Sequence, residues 1–408
     1  MKKVLIVGSN FINKGAQSML FITTDELRKR DPDCIVYFAC NGERYKEADY
    51  KFVKLLYTKQ SQSIALQDRV KWYQVIKAVL KDIVKLVLGR KNKIGEIFEA
   101  RKIIPSLDLI IDVSGYALAD ICSPMEHEYY LDNIRLAKKY NIPMILMPQS
   151  FGPFNYSLSK QYLKDEIADL LRYPKVIFAR EEEGKELLQK EFKLTNLAMS
   201  ADLVLQNKGV TRSNICNSSY EMQLPRLDKS DNVAIIPNYH CFAGENNQRI
   251  LELYRTIIQK LLEAEKKIYI FRHASGDADI CSQIKGLFSE NDKVHLIKRE
   301  FDCLEYDELV KDFDFIICSR YHGCVHAYRN GIPNIILGWA VKYQELAMRV
   351  NQEAYIFNLT SDVCDSSAIL DAVEHMLNNY EEESCLIKEK VELIQENSCF
   401  SCLDEIEW

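Results

Sequence analysis

Short apolar runs alternate with polar segments of helical period along this chain, and the alternation occurs twice. A run of four or five apolar residues bounded by turns has the length of a buried parallel strand, and strands that alternate with helices form parallel sheets. The runs are Lys3–Val7, Cys34–Ala39, Leu109–Val113, Met144–Pro148, Val176–Ala179, Val233–Pro237, Ile268–Phe271, Val294–Ile297, Phe315–Cys318 and Asn334–Leu337. The pattern predicts an α/β protein with two doubly wound, Rossmann-like parallel-sheet domains.

Residues 207–231 separate the two sets of runs, because they are polar and lack any period. We interpret them as a linker, since 408 residues also exceed what one hydrophobic core usually supports. The predicted divisions are an N-terminal α/β domain at 1–206, the linker at 207–231, a C-terminal α/β domain at 232–366, and C-terminal helices (Ser367–Asn379 and Ser384–Asn397) with an acidic tail at 367–408. Two such domains with a cleft between them give a GT-B-like fold.

Charge and composition limit the classes of partner. The net charge of −6 disfavours nucleic acid. No apolar run approaches the ~20 residues that a membrane-spanning helix needs, and the N-terminus enters the first strand too soon for a signal peptide. The 13 cysteines are scattered, which is typical of reduced thiols. We therefore expect a cytoplasmic protein.

The stretch after Phe315–Cys318 carries the strongest functional signal. Arg320 and His322 follow this run at a strand's carboxyl end, where a helix begins, and open α/β sheets bind ligands in that crevice. Arginine presents a fixed fork to carboxylate or phosphate, and histidine transfers protons near neutral pH. The pair predicts an anionic substrate and acid–base chemistry. The alternative is a surface arginine beside a capping histidine.

Strands in the first half end in a similar way. A Gly/Asn loop with Asn13 and Gly15 follows the first strand, without the spacing of a dinucleotide fingerprint. Gln149 and Arg180 follow two later strands. Arg180 either enters the crevice or pairs with Glu181–Glu183 on a helix surface.

Asn238, His240 and Asp277 follow strands in the second half. His and Asp also suggest a metal site, but their spacing matches neither a zincin nor a facial triad, so we predict no metal. These residue types hydrogen-bond to sugar hydroxyls equally well. The candidates for contact with an acceptor sugar are Asn13, Gly15, Gln149, Asn238, His240 and Asp277.

Together these motifs resemble the polysaccharide pyruvyl transferase family. The matching elements are Asn13-x-Gly15-Ala16, Gln149-Ser-Phe-Gly152-Pro153-Phe, Arg180-Glu, Ala201-Asp202, and Ser319-Arg320-Tyr-His322-Gly323 followed by Gly331-Ile-Pro333. They occur in the family's order over about residues 4–350. Asp112-Val-Ser-Gly115 with Asp120 looks like a degenerate form of the family's glycine-rich turn, because Val113 and Ser114 stand where glycines are usual.

The resemblance implies a GT-B-like fold, phosphoenolpyruvate as donor, and a pyruvate ketal on a sugar as product. It implies that Arg320 binds the donor, with Tyr321 and Gly323 in the same loop, and that Arg180 is the second donor arginine. It also implies that His322 supports donor binding and catalysis. We interpret His322 as the general acid/base, because ketal formation requires proton transfer near neutral pH. No cofactor is expected.

The expected acceptor is a sugar of a cell-surface polysaccharide or of its lipid-linked precursor. A GT-B glycosyltransferase that uses a nucleotide sugar stays open as an alternative, as does a non-enzymatic sugar- or lipid-binding scaffold. Residues 69–93 are locally basic and amphipathic, which predicts a peripheral contact with the inner face of the plasma membrane. An ordinary helix packed on the first domain is the alternative.

Overall fold

Two parallel sheets carry the fold of this protein. The computed structural model describes residues 1–40, 47–68, 76, 80, 98–156, 161–228, 230–242, 247–338, 342–359, 365–406 and 408. The first sheet contains β1 (Lys3–Val7), β2 (Ile35–Cys40), β3 (Val53–Leu56), β4 (Leu109–Asp112), β5 (Tyr116–Leu118), β6 (Met144–Phe151), β7 (Val176–Ala179) and β8 (Leu197–Met199). The second contains β9 (Asn232–Ile236), β10 (Lys267–Phe271), β11 (Val294–Ile297), β12 (Phe315–Cys318), β13 (Asn334–Gly338) and β14 (Ile356–Asn358). The prediction of two parallel-sheet α/β domains is confirmed.

The strand orders place one crevice in each domain. The first sheet runs β3-β2-β1-β4-β6-β7-β8, with β5 beside β6, and the second runs β11-β10-β9-β12-β13-β14. The order reverses between β1 and β4 and again between β9 and β12, and loops diverge at such switch points to leave a crevice at the carboxyl ends. The loops after β1, β4, β9 and β12 therefore border the two crevices.

Helices flank both sheets. Their bounds are α1 (Lys14–Arg30), α2 (Lys59–Leu66), α3 (Glu99–Ile103), α4 (Pro124–Tyr140), α5 (Gln161–Leu170), α6 (Glu182–Phe192), α7 (Arg212–Ile215), α8 (Asn247–Glu263), α9 (Ala278–Gly286), α10 (Cys303–Leu309), α11 (Tyr321–Arg329), α12 (Lys342–Met348), α13 (Ser366–Glu396) and α14 (Cys402–Glu405). Val4 and Ile6 of β1 pack in one hydrophobic cluster while Leu5 and Val7 pack in another, so both faces of the strand are buried. This burial explains why the strands are continuous apolar runs.

The C-terminal region differs from the sequence prediction. The two helices predicted over Ser367–Asn379 and Ser384–Asn397 form one helix, α13, and the prediction of a break was wrong. The intervening residues include three glutamates, which favour helix, and no glycine or proline. Glu383 also stabilises this part of α13, because its carboxylate accepts hydrogen bonds from Gln352 at 2.6 Å and from Tyr355 at 2.5 Å.

Helix α1 joins the two domains through buried polar contacts. Lys14 Nζ donates to the backbone carbonyl of His273 at 2.7 Å, and Gln17 Oε1 accepts from the backbone N–H of Cys303 at 2.9 Å. One turn further, Ser18 Oγ lies 2.9 Å from His326 Nε2. Because unpaired buried polar groups are costly, these contacts fix the position of α1 against the second domain.

The chain crosses between the domains twice. The predicted linker contains α7, and Cys216 forms an antiparallel bridge with Tyr50 of the first domain. After α13 the chain returns, and the backbone N–H of Cys399 donates to Gln206 Oε1 at 2.8 Å. The C-terminal residues thus pack on the first domain, and the predicted domain bounds stay a prediction.

None of the helices in the described ranges combines the length and the apolar character needed to cross a bilayer. The predicted membrane-contact segment 69–93 lies outside the described residues, apart from Ile76 and Leu80. Its contact with a membrane stays a prediction.

Gly323 packs α11 closely onto β12. A Cβ atom here would lie 2.7 Å from Cys318 Sγ and 3.0 Å from the hydroxyl oxygen of Tyr306. We expect Gly323→Ala to lower the free energy of unfolding by about 1–3 kcal/mol, because buried neighbours must move. Gly286→Ala is the matched control, since no described atom lies within 4 Å of its Cβ position and alanine favours helix. Urea denaturation measures the difference, and equal stability of the two variants would contradict the assignment.

Candidate active site

A cavity of about 410 Å³ lies between the two domains, where the loops after the strands converge. The side chains that border it and bear on its chemistry are Asn10, Asn13, Ser114, Tyr116, Arg180, Asn238, His240, His273, Arg320, Tyr321, His322 and Lys342. They come from both sheets, so neither domain forms the site alone. The position matches the ligand-binding crevice of open α/β sheets.

Arg320 stands directly before α11, and a buried carboxylate holds its guanidinium. Arg320 Nε donates to Asp277 Oδ2 at 2.9 Å, and Nη2 donates to the other oxygen, Oδ1. The same carboxylate accepts the backbone N–H groups of Ala274 at 3.1 Å and Tyr239 at 3.2 Å. Asp277 is therefore a positioning residue for Arg320, and its oxygens are not presented to an acceptor as predicted. The pair orients the cationic fork along the cavity wall.

His322 rests on the N-terminus of α1 from the opposite domain. A Cβ atom on Gly15 would lie 2.1 Å from both Cγ and Nδ1 of His322, so only glycine leaves room for the imidazole. His322 Nε2 lies 3.6 Å from Asp202 Oδ2, which is too long for a hydrogen bond but close enough for electrostatic attraction. The role of Gly15 is thus to accommodate His322, and the predicted acceptor contact is not what its geometry provides.

The protonation states of His322 and Asp202 are coupled. Burial lowers the pKa of His322 below its ordinary value, although the Asp202 carboxylate opposes the shift. Burial also opposes ionisation of Asp202, yet His322, which is protonated at the low pH where this carboxyl titrates, and Arg180 hold the pKa of the carboxyl well below its usual range. Near neutral pH the site therefore contains a neutral imidazole beside a carboxylate, and that carboxylate stabilises the imidazolium when a proton arrives.

Arg180 is buried in the cavity wall and does not lie on a helix surface. Its Nη1 donates to Asp202 Oδ2 at 2.9 Å, and its Nε donates to Glu181 Oε1 at 2.9 Å. Nη2 donates to the carbonyl of Gly115 at 3.2 Å. Both alternatives for Arg180 are thus partly right: it pairs with Glu181, and it does so inside the cleft.

Lys342 is a third cation at the cavity, and sequence reasoning missed it. Burial, reinforced by the charge of Arg180, lowers the pKa of Lys342 to about 8. The ring of Tyr321 lies 4.5 Å from Arg180 Cζ and 5.3 Å from Lys342 Nζ, so this ring contacts both cations. Lys342 begins the helix after β13, and the strand-end rule that found Arg320 also applies to it.

His273 is a second buried imidazole at the cavity. It follows β10, is 3% exposed, and its Nε2 has no hydrogen-bond partner among the described residues. Burial, together with the charge of Lys14, holds the pKa of His273 well below its ordinary value. The ring therefore stays neutral near neutral pH and adds no charge to the cavity.

The structure brings some of the predicted residues to the cavity and places others behind it. Those at the cavity are Asn13, Arg180, Asn238, His240, Arg320, Tyr321 and His322. Gly15, Gln149, Asp277 and Gly323 do not border it. Gln149 is fully buried, and its Oε1 accepts a hydrogen bond from the hydroxyl of Tyr130 at 3.0 Å. Its backbone carbonyl accepts the backbone N–H of Arg180 at 3.0 Å. Gly323 packs against β12, and its contact with the donor stays a prediction.

No group of three or more His, Cys, Asp or Glu side chains in the described ranges is arranged to hold a metal ion. The absence of a metal from the reaction stays a prediction.

Solved structures with the same architecture define the class of the fold. UDP-GlcNAc 2-epimerase from Methanocaldococcus jannaschii is 14% identical, with 93% of each chain covered and a TM-score of 0.52. The S. aureus MnaA–UDP structure is 11% identical, covering 96% of this chain and 91% of that one, with a TM-score of 0.53. The E. coli trehalose-6-phosphate structure bound with UDP-2-fluoro glucose is 11% identical, covering 99% and 98%, with a TM-score of 0.51. The chain therefore has a GT-B-type fold.

The family follows from the sequence match. The family model of polysaccharide pyruvyl transferase matches residues 13–340, which is most of the chain. The chain belongs to the polysaccharide pyruvyl transferase family and is an enzyme of polysaccharide biosynthesis. No curated protein matches the sequence.

The contact between Gly15 and His322 predicts a rescue. Gly15→Ala places a methyl group against the imidazole ring, so we expect it to lower both stability and kcat. Adding His322→Ala removes the three nearest ring atoms, and we expect the double variant to be more stable than Gly15→Ala alone. Thermal denaturation of the two single variants and the double variant measures the coupling. Additive losses of stability would show that the two residues do not share this space.

Proposed function

We propose that this enzyme transfers a pyruvyl group from phosphoenolpyruvate to a sugar of a cell-surface polysaccharide or of its lipid-linked precursor, with a cyclic ketal as product. The observation that carries the proposal is the set of three cations, Arg180, Arg320 and Lys342, around a cavity that the neutral imidazole of His322 also lines. Phosphoenolpyruvate carries a phosphate and a carboxylate, both attached to C2. Two rigidly held arginines and a lysine complement a molecule with two anionic groups.

The first step is addition of a sugar hydroxyl to the enol. His322 removes the hydroxyl proton, the oxygen bonds to C2 of the donor, and the C2=C3 electron pair takes the proton at C3. Asp202 stabilises the imidazolium that exists between these two transfers. Positioned proton transfer of this kind typically contributes ~10²–10⁴-fold to rate.

The second step closes the ketal. A neighbouring hydroxyl attacks C2, the C2–O bond to phosphate breaks, and inorganic phosphate leaves with that electron pair. The departing phosphate carries away the proton of the attacking hydroxyl. The arginines stabilise the charge that develops on the departing phosphate. The net reaction consumes one donor and a diol and releases one phosphate, with no redox change.

The cytoplasmic location and the peripheral membrane contact belong to the same proposal. A lipid-linked acceptor would present its sugar at the inner face of the membrane, where the basic segment 69–93 is expected to bind. Family membership sets aside the non-enzymatic scaffold. A nucleotide-sugar donor is a competing outcome of the test below.

Phosphate release in the presence of isolated polysaccharide, with phosphoenolpyruvate or a panel of nucleotide sugars as donor, tests the function. We expect release only with phosphoenolpyruvate, and a glycan mass gain equal to pyruvate minus water. His322→Asn should lower kcat roughly 100-fold while donor binding falls less. His295→Asn, on β11 and away from the cavity, is the matched control. Turnover with a nucleotide sugar alone would replace this function by glycosyl transfer.

Lys342 predicts a pH dependence of donor use. As pH rises through about 8 the ammonium loses its charge, so kcat/KM for phosphoenolpyruvate should fall above that pH. In Lys342→Arg the side chain stays charged, and the fall should move to higher pH. Profiles of kcat/KM from below to above pH 8 measure the effect. Identical alkaline limbs in both proteins would remove Lys342 from donor binding.

A further inference from the structure

A second cavity, of about 390 Å³, opens beside the active-site cavity and shares two of its walls, Tyr116 and Lys342. We refer to it as the Tyr116 groove. Apart from Lys342 and Glu345 of α12, its described walls come from the first domain: from β5 and the loop after it, the end of β6, and α6. A ligand in the groove therefore reaches the active-site cavity past Tyr116 and Lys342.

The floor of the groove is apolar and its aromatic wall is fixed. Phe151, Pro153 and Leu187 line it, and so does Ile121, with 71% of its surface exposed. The hydroxyl of Tyr116 donates to the carbonyl of Gly152 at 2.8 Å, which holds the ring in place while 39% of the residue stays exposed. Binding pockets of this kind combine apolar and aromatic walls with a few placed polar groups.

The polar groups of the groove are carboxylates. Glu181, Glu183 and Glu345 line it, and Lys342 at the shared wall is the one cation among its described lining residues. Glu181 Oε1 already accepts from Arg180 and Ser150, and Glu345 Oε2 accepts the backbone N–H of Glu182 at 3.2 Å. The carboxylate of Glu183 is exposed and has no hydrogen bond or ion pair with the described residues, so it is the carboxylate best able to accept hydrogen bonds from hydroxyl groups.

The two cavities differ in the sign of their charge. The active-site cavity presents Arg180, Arg320 and Lys342, whereas the groove presents three glutamates. Negative charge in the groove repels a phosphate or carboxylate, and this repulsion separates the anionic donor from the second substrate. A neutral sugar ring satisfies the groove, because its C–H face packs on apolar walls and its hydroxyls donate to carboxylates.

We propose that the Tyr116 groove binds the acceptor as a neutral sugar ring, with the reacting hydroxyl pair directed past Tyr116 into the active-site cavity. The identity of the donor in this inference rests on the proposed function, whereas the binding of a neutral glycoside in the groove is independent of it. The negative charge of the groove excludes acceptors whose bound ring carries a carboxylate.

Two groove variants separate acceptor binding from donor binding. Ile121→Asp places a negative charge at an apolar lining residue of the groove. Glu183→Gln removes the negative charge of a carboxylate that accepts hydrogen bonds. Neither residue borders the active-site cavity. With p-nitrophenyl hexosides as acceptors, we expect each variant to raise the acceptor KM roughly tenfold, the size of one lost contact, while the KM for phosphoenolpyruvate is unchanged. Leu393→Asp, an exposed leucine on α13, is the matched control and should alter neither constant.

A matched pair of acceptors tests whether the groove excludes a sugar ring that carries a carboxylate. p-Nitrophenyl hexosides should be used, and the corresponding hexuronides, which differ by a carboxylate, should not. Unchanged acceptor KM in both variants, or equal use of hexosides and hexuronides, would overturn the groove assignment while leaving the transferase function intact.

Saturation-transfer NMR of the same hexosides keeps the two proposals distinguishable. If the wild type binds the hexoside, Ile121→Asp does not, and phosphoenolpyruvate releases no phosphate, the groove is the acceptor site but phosphoenolpyruvate is not the donor. Binding that survives in both groove variants would overturn the groove whether or not the enzyme turns over.

Discussion

The imidazole of His322 seated against Gly15 is the contact on which the rest of the site depends. It joins the first turn of α11 in one domain to the first turn of α1 in the other. One helical turn further along both helices, His326 Nε2 lies 2.9 Å from Ser18 Oγ. The other ring nitrogen, Nδ1, lies 2.8 Å from Asp307 Oδ1. Residues four apart on a helix share a face, so the two histidines fix the register of α11 on α1. The proton-transfer residue is therefore positioned by the domain interface itself.

Each arginine of the site is held by a buried carboxylate. Asp277 fixes Arg320, and Asp202 fixes Arg180 while also facing His322. Such pairs contribute little net stability, because both ions lose water. What they supply is orientation: the guanidinium planes and the imidazole are set before a substrate arrives, and less ordering is left for the bound state. Tyr321 extends the arrangement, since its ring contacts Arg180 and Lys342.

The sequence predicted the strands and the strand ends well, because buried parallel strands are apolar runs and their carboxyl ends share one edge of a sheet. Arg180, Asn238, Arg320 and His322 were found in this way. The same rule could not say which way a side chain turns at the strand end. The Asp277 side chain turns inward to hold Arg320, and the Gln149 side chain turns inward to bond Tyr130. The role of Gly15 depends on a ring from the other domain, a contact between residues 307 positions apart that no local pattern records.

The two chain crossings between the domains lie side by side. Gln206 Oε1 accepts from the backbone of Cys399, and the carbonyl of Asn207 accepts from Gln395 at 3.3 Å. The outgoing and returning segments are thus fastened to each other at one edge of the interface. Because the two segments are covalently continuous with both domains, this edge keeps the domains adjacent and holds the two walls of the cavity on a common support.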